Sequence, residues 1–340
     1  MKQTPMASSP SSSRETILPS IIIGAGMSGL TAASKWHQAG MSSVILEKSR
    51  GVGGRMSRRR SEHGNFDHGA QFFEVTDSSF QQQVDRWQQQ ELIRNWSRGF
   101  PDLSGQVRGP GLPCYCGRDG MNSVLKDLST GLDVRTGQRV ERIFRQQDLW
   151  AVEIEDAKVY QTRALLVTAP VPQALSMLEK GDVSINPRQT SALARTDYEP
   201  CLTLMVALAQ KVDFSEHGGL WLSGEPLSWI ADNASKGLAA DVASMLTIHA
   251  GPLFSRQHWE TDASEVTRIM LKAASEWIQQ EPLAAHYHRW RYHQPVELFP
   301  DRMLVINQDP WLCLAGDGFG QSGVEGAYLS GMAAAEALLE

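Results

Sequence analysis

An apolar tripeptide, Ile21-Ile22-Ile23, runs straight into Gly24-Ala25-Gly26-Met27-Ser28-Gly29-Leu30. Few folds accept that order of buried strand, G-x-G-x-x-G turn and immediate helix. Gly24 permits the tight turn and Gly26 leaves the backbone open to a pyrophosphate. Gly29 lets the helix lie close on the sheet, so that its first turn, with Met27 and Ser28, faces the phosphates. A second strand follows at Val44-Ile45-Leu46 and ends in Glu47, which is 47 − 24 = 23 positions beyond the first glycine. An acid at that distance accepts a hydrogen bond from a ribose hydroxyl, with Lys48 beside it. Strand, turn, helix, strand and acid together define a βαβ dinucleotide-binding unit.

The rest of the chain is read outward from that unit. Residues 17–23 are expected as one strand and residues 27–39 as the first helix, stopped by Gly40. Ser49-Arg50-Gly51-Val52-Gly53-Gly54-Arg55-Met56 is a glycine loop leaving the ribose-binding strand. It offers Gly54 and Arg55 to phosphate oxygens, with Met56 beside them at the cofactor. Arg58-Arg59-Arg60 reads equally as a solvated charge run or as a clamp for a second anion. Gly69-Ala70-Gln71, among small and aromatic residues, suits a backbone passing close to a flat ring, whereas His68 beside it proves little alone. Phe80, Val84 and Trp87 repeat at helical spacing over residues 80–92 and belong to the core. Strands are expected at 140–144, beginning with Val140 at the cofactor, and at 149–154 and 164–168. Thr168-Ala169-Pro170-Val171-Pro172 then turns the chain out of the sheet.

A second, strand-rich part is expected next, with strands at 202–209, 228–232, 245–249 and 285–292 and a helix over 263–280. The chain returns at Trp311-Leu312-Cys313-Leu314-Ala315-Gly316-Asp317, a strand ending in an acid, and closes with a helix opened by Gly323-Val324-Glu325-Gly326-Ala327. Asp317 suits a polyol hydroxyl. The glycine-lined helix start suits a partly negative ring oxygen. A ligand with a diphosphate, a sugar alcohol and a flat head describes FAD better than NAD. The expected class is α/β, a Rossmann-type FAD-binding domain with a mostly antiparallel α+β substrate domain. The first is assigned residues 17–75, 117–172 and 300–340, the second residues 76–116 and 173–299, and residues 1–16 a disordered, serine-rich tail.

Composition narrows the partners. A net charge of −6 over 340 residues argues against nucleic acid and against a polybasic membrane contact. Four scattered cysteines do not make a secreted disulfide framework. With no apolar run long enough to span a bilayer and no signal-peptide core near the start, a soluble cytoplasmic protein is expected. The oligomeric state is left open.

These residues resemble the FAD-dependent amine-oxidase superfamily, along nearly the whole chain. The likeness covers both glycine motifs, Asp67-x-Gly69-Ala70-Gln71, Pro170-Val171-Pro172, Asp232-Asn233, Ile248-His249, Arg289-Trp290-Arg291-Tyr292 and Gly316-Asp317-Gly318-Phe319-x-Gln321-Ser322. The tryptophan motif narrows it to oxidases of dihydronicotinamide dinucleotides. The resemblance implies non-covalent FAD and hydride transfer from 2- and 6-dihydro isomers of NAD(P)H, with O2 taking the electrons to give hydrogen peroxide. Its implied catalytic set is Trp290, Tyr292, His249 and Gln71. Two of these, Trp290 and Tyr292, would sit on one strand face and stack the nicotinamide, or else serve as core.

Other chemistries are less well served. The lysine that amine oxidases hold near the flavin has no evident counterpart among Lys211, Lys236 and Lys272, so an amine or polyamine oxidase is the alternative. A non-catalytic flavin-binding redox sensor is the second. Cys114-x-Cys116 with His286-x-His288 has unusual zinc spacings and lies in distant segments, so no metal site is expected.

Overall fold

The computed structural model describes residues 16–222 and 224–340. At its centre a six-stranded sheet runs in the order Asp133–Thr136, Val44–Glu47, Ile21–Ile23, Ala164–Val167, Trp311–Ala315, Met303–Gln308. The first five strands are parallel and the last is an antiparallel edge. Strands covered on both faces read as continuous apolar runs. Ile22 joins the core of Leu30, Trp36 and Ile45, while Ile21 and Ile23 join that of Val44 and Leu46 on the opposite face. The helix Met27–Gln38 packs against Gly323–Leu339, the two tied by a 3.1 Å bond from Trp36 Nε1 to the Ala335 carbonyl. A Cβ on Gly331 would lie 2.3 Å from the Ser28 carbonyl oxygen, so only glycine permits this approach.

The strand expected over residues 17–23 is divided. Pro19 cannot donate to a ladder, and the chain breaks there: Thr16–Leu18 pairs with Val159–Thr162 in a separate four-stranded sheet, while Ile21–Ile23 enters the central one. Of the tail expected over residues 1–16, residues 1–15 lie outside the described residues and residue 16 opens that first strand. The proline-rich stretch after residue 168 does not simply leave the sheet. Pro170 caps the helix Val171–Glu179, where the prolines occupy positions that need no N–H. Arg58–Ser61 forms an unforeseen hairpin with Gly64–Asp67.

A second sheet, entirely antiparallel, has the order Gly219–Trp221, Leu227–Asp232, Ser244–Ala250, Tyr198–Leu208, Ala284–Pro295. Along its longest central strand, Leu202, Leu204, Val206 and Leu208 bury against Val266 and Met270 of the helix Ala263–Ala273. Met205 and Ala207 on the other face meet Phe66. The helix stops seven residues short of the expected residue 280, and the chain from Ala274 continues in turns that still place Trp277 on the core.

Candidate active site

Between the two sheets lies a cavity of about 1270 Å³, larger than the roughly 300–1,000 Å³ of a site for one small molecule. Of the candidate residues named from sequence, all but Gly29 and Gly326 line it. Those two do packing work. A Cβ on Gly29 would sit 2.1 Å from the Gly24 carbonyl oxygen, and one on Gly326 only 1.8 Å from that of Gln321.

The glycine-turn end of the cavity fits the diphosphate and ribose of a dinucleotide. Gly24 takes φ +107°, a conformation open to glycine, and a Cβ on Gly26 would meet no protein atom within 4 Å. Ser28 Oγ is buried with no hydrogen-bond partner, at the start of the helix Met27–Gln38. The Glu47 carboxylate accepts the Ala25 N–H at Oε2 and the Ser49 N–H at Oε1, both at 2.8 Å. That fixes the group and leaves about two of its four acceptor positions for a ribose. Val140, Met56 and Ala327 face the same space, with Lys48 exposed at its rim.

Several polar side chains are engaged differently from the expectation. Arg55, offered to phosphate, instead forks onto Asp317, with Nη1 2.6 Å from Oδ2 and Nη2 2.5 Å from Oδ1. It also donates to the Tyr292 carbonyl at 3.2 Å, so one guanidinium ties the cofactor side to the substrate sheet. Glu325 is consumed by Thr76, by the Asp77 N–H at 2.8 Å and by Gln321 Nε2 at 2.7 Å, which leaves the backbone of that helix end, not this carboxylate, toward the cavity. Gln71 spends both amide hydrogens on the carbonyls of Asp67 and Gly69, and its Oε1 accepts from Lys236 Nζ at 3.0 Å. That leaves the Gln71 amide no N–H for a substrate.

Lys236 is fully buried, 3.4 Å from Asp67 Oδ2 and with its Nζ 4.4 Å from the centre of the Trp96 ring. Burial pulls its pKa down and pushes that of Asp67 up, while their mutual attraction opposes both. Gln71 separates this lysine from the cavity.

The opposite end is a wall of rings. Trp290 Nε1 donates to the His68 carbonyl at 2.9 Å, and His249 Nε2 lies 3.2 Å from that same oxygen. Trp290 also packs on the His68 ring at 5.0 Å and the His288 ring at 4.3 Å. Burial first, and neighbouring imidazoles after it, push His68 and His249 down to about 3. Burial lowers His293 to about 4. These rings are neutral across the neutral range. A bulge between Trp290 and Gln294 interrupts the strand alternation, so Tyr292 turns onto Tyr198 at 5.7 Å although both Trp290 and Tyr292 line the cavity.

A Rossmann sheet that feeds a glycine turn and a fixed acid into a cavity closed by an antiparallel sheet defines a flavin-dependent oxidoreductase. The chain belongs to the flavin containing amine oxidoreductase family, whose model matches residues 98–339, and a NAD(P)-binding Rossmann-like domain matches residues 22–87. It is similar to renalase from Mus musculus, at 23% identity over 94% of this chain and 98% of that protein. Putrescine oxidase bound to putrescine shares the fold with a TM-score of 0.70 at 11% identity, covering 96% of this chain and 100% of that one. A Pyrococcus furiosus protein does so with a TM-score of 0.68 at 14% identity, covering 95% and 98%. The protein is thus an FAD-dependent oxidase acting on a small molecule. No helix among the described residues is long and apolar enough to cross a membrane.

The sequence alone did not place His293, Trp229 or Cys201 at the site, and it gave Lys236 no place near the flavin. The first three arrive through strand pairing across distant segments, and Lys236 reaches Gln71 from a turn by a side-chain hydrogen bond. Cys114 and Cys116 are buried in the strand Cys114–Gly117 and are not gathered with His286 and His288. Among the described residues, the group able to offer three metal ligands is Cys201, His249 and His293.

Proposed function

We propose that this oxidase takes 2- and 6-dihydro isomers of NAD(P)H and returns them to NAD(P)+. The observation that carries the reading is the substrate end of the cavity, where Trp290 and neutral imidazoles form the wall. That lining suits a flat, uncharged dihydropyridine. Among the described residues, the ring wall itself offers a polycationic amine no carboxylate to pair with.

FAD, when bound, supplies the redox chemistry by accepting a hydride and passing two electrons to O2 to give hydrogen peroxide. The candidate holders are Gly26, Ser28 and Glu47 at the ribose and diphosphate end, with Gly54, Gly69, Ala70, Gly316 and Val324 along the cavity. Trp290, held by the His68 carbonyl, orients the pyridine ring. His249 and Tyr292 complete the wall around it, and the neutral rings keep bulk water from the reacting face. In this assignment the central sheet and its helices serve the cofactor, and the antiparallel sheet serves the substrate.

Lys236 is the one feature that favours a second reading, an amine or polyamine oxidase, since it is a buried lysine within two hydrogen bonds of the cavity. Its separation from that space by Gln71 speaks for the first. The test is aerobic incubation with each dihydro isomer and with putrescine. Peroxide and NAD(P)+ formed in equal amounts from the isomers support the proposal, and peroxide from putrescine alone refutes it.

A further inference from the structure

Three strands of the substrate sheet converge on Cys201, His249 and His293, of which the oxidase reading gives a named role to His249 alone. In the ladder between Tyr198–Leu208 and Ser244–Ala250, Thr203 lies opposite His249, so Cys201, two residues back on its strand, shares that face one diagonal away. The third member comes from the strand on the other side. There Cys201 faces Trp290 and Glu199 faces Gln294, a step of 201 − 199 = 2 residues against 294 − 290 = 4. Pro200, with no N–H to give, lies within this bulge, and His293 is turned onto His249 with ring centres 5.1 Å apart.

The donor atoms are available. A carbonyl only accepts, so the bond between His249 Nε2 and the His68 carbonyl places the proton on Nε2 and leaves Nδ1 with a free lone pair. His293 Nδ1 is buried and has no hydrogen-bond partner. Cys201 Sγ makes only long contacts, at 3.5 Å to the Leu202 carbonyl, 3.6 Å to Thr203 Oγ1 and 3.8 Å to the Ala250 carbonyl. One ligand atom from each of the three residues lies within 4.8 Å of the others.

We propose that Cys201, His249 and His293 bind a divalent cation of the zinc class, and that an ion held there blocks the substrate end of the cavity. One thiolate and two imidazoles form a set suited to a borderline-soft ion, and the fourth position opens into the cavity that all three residues line. Zinc–sulfur bonds of about 2.3 Å and zinc–nitrogen bonds of about 2.0–2.1 Å set donor separations near 3.4 Å in a tetrahedron. The donor separations therefore shorten by up to about 1.4 Å on binding, from the 4.8 Å limit to about 3.4 Å. The Cys201 proton leaves to solvent as the sulfur–metal bond forms, and no electron is transferred. The bond from His249 to the His68 carbonyl remains and orients the ring, the usual arrangement behind a metal-binding imidazole.

Binding rests on coordination geometry alone, and only the blocking effect rests on the proposed oxidase function. The test is calorimetric titration of the FAD-loaded protein with zinc chloride, beside Cys201→Ser, His293→Gln and the control His286→Gln. Expected are one zinc per chain in the wild type and in His286→Gln, and affinity at least roughly tenfold weaker in the other two. Should Cys201→Ser not fold, His293→Gln decides. With any substrate that turns over, peroxide formation falls at the same zinc midpoint as the heat. The absence of a stoichiometric site, or equal affinity in all variants, overturns the proposal, and neither result touches the identity of the substrate.

Discussion

Gly26 and Gly29 stand three residues apart and make opposite demands of a side chain. A Cβ at Gly26 enters open cavity, whereas one at Gly29 strikes the Gly24 backbone. Gly26→Val should therefore fold with near-wild-type stability and purify colourless, while Gly29→Val should lose stability or fail to accumulate. Thermal melting and the flavin absorbance of the purified proteins check both, and a yellow Gly26→Val would remove the diphosphate from that turn. The sequence motif made this distinction readable because it is local. Arg55 and Asp317 are different: each was legible as a ligand-facing residue, but their fork spans 262 positions and only the fold brings them together. Trp290 was readable as an aromatic but not as a side chain clamped by the His68 carbonyl, 222 positions away. Trp290→Ala should keep its FAD and reduce it about five- to tenfold more slowly, the equivalent of about 1–1.4 kcal/mol of lost stacking. Single-turnover absorbance measures it, and an unchanged rate would make Trp290 core alone.

At the scale of elements, the strand Ala284–Pro295 shows what periodicity misses. Alternation over residues 285–292 gave the strand and its cavity-facing tryptophan, but the bulge opposite Pro200 re-aims everything after Trp290. Pro200, after Glu199, was the available signal. The same element, with its neighbours, sets an acid limit on stability. His68, His249 and His293 ionise near 6.5 in a solvated chain but near 3, 3 and 4 when folded. Between those values the unfolded state binds more protons than the native state, so native stability is fully present above about pH 6.5 and falls as pH drops through the window toward 4 and 3. Denaturant unfolding at pH 7.5 and 5.5 should show this loss, and His249→Gln should show a smaller one. An equal pH slope in the two proteins would contradict the buried, neutral assignment.

For the whole molecule, the alternation of βαβ unit, strand-rich insert and returning strand was enough to foresee two sheets and a shared ligand space, because the strands Ile21–Ile23 and Trp311–Ala315 of the central sheet each carry an apolar run that ends in a glycine turn. The cavity's far wall was not foreseeable in detail, since it is assembled from segments that meet only through long-range pairing of residues 198–208 with 244–250 and 284–295. In the proposed function this wall presents a dihydropyridine for direct hydride transfer, with no side chain required to take a proton first. The measurement closest to it is anaerobic stopped-flow bleaching of the bound flavin by the 6-dihydro isomer and by its form deuterated at the transferring carbon, from roughly pH 6 to 9. Direct hydride transfer gives rapid bleaching, a slower rate with deuterium and little dependence on pH. Bleaching by amines only, or a rate that changes about tenfold per pH unit across that range, would contradict it.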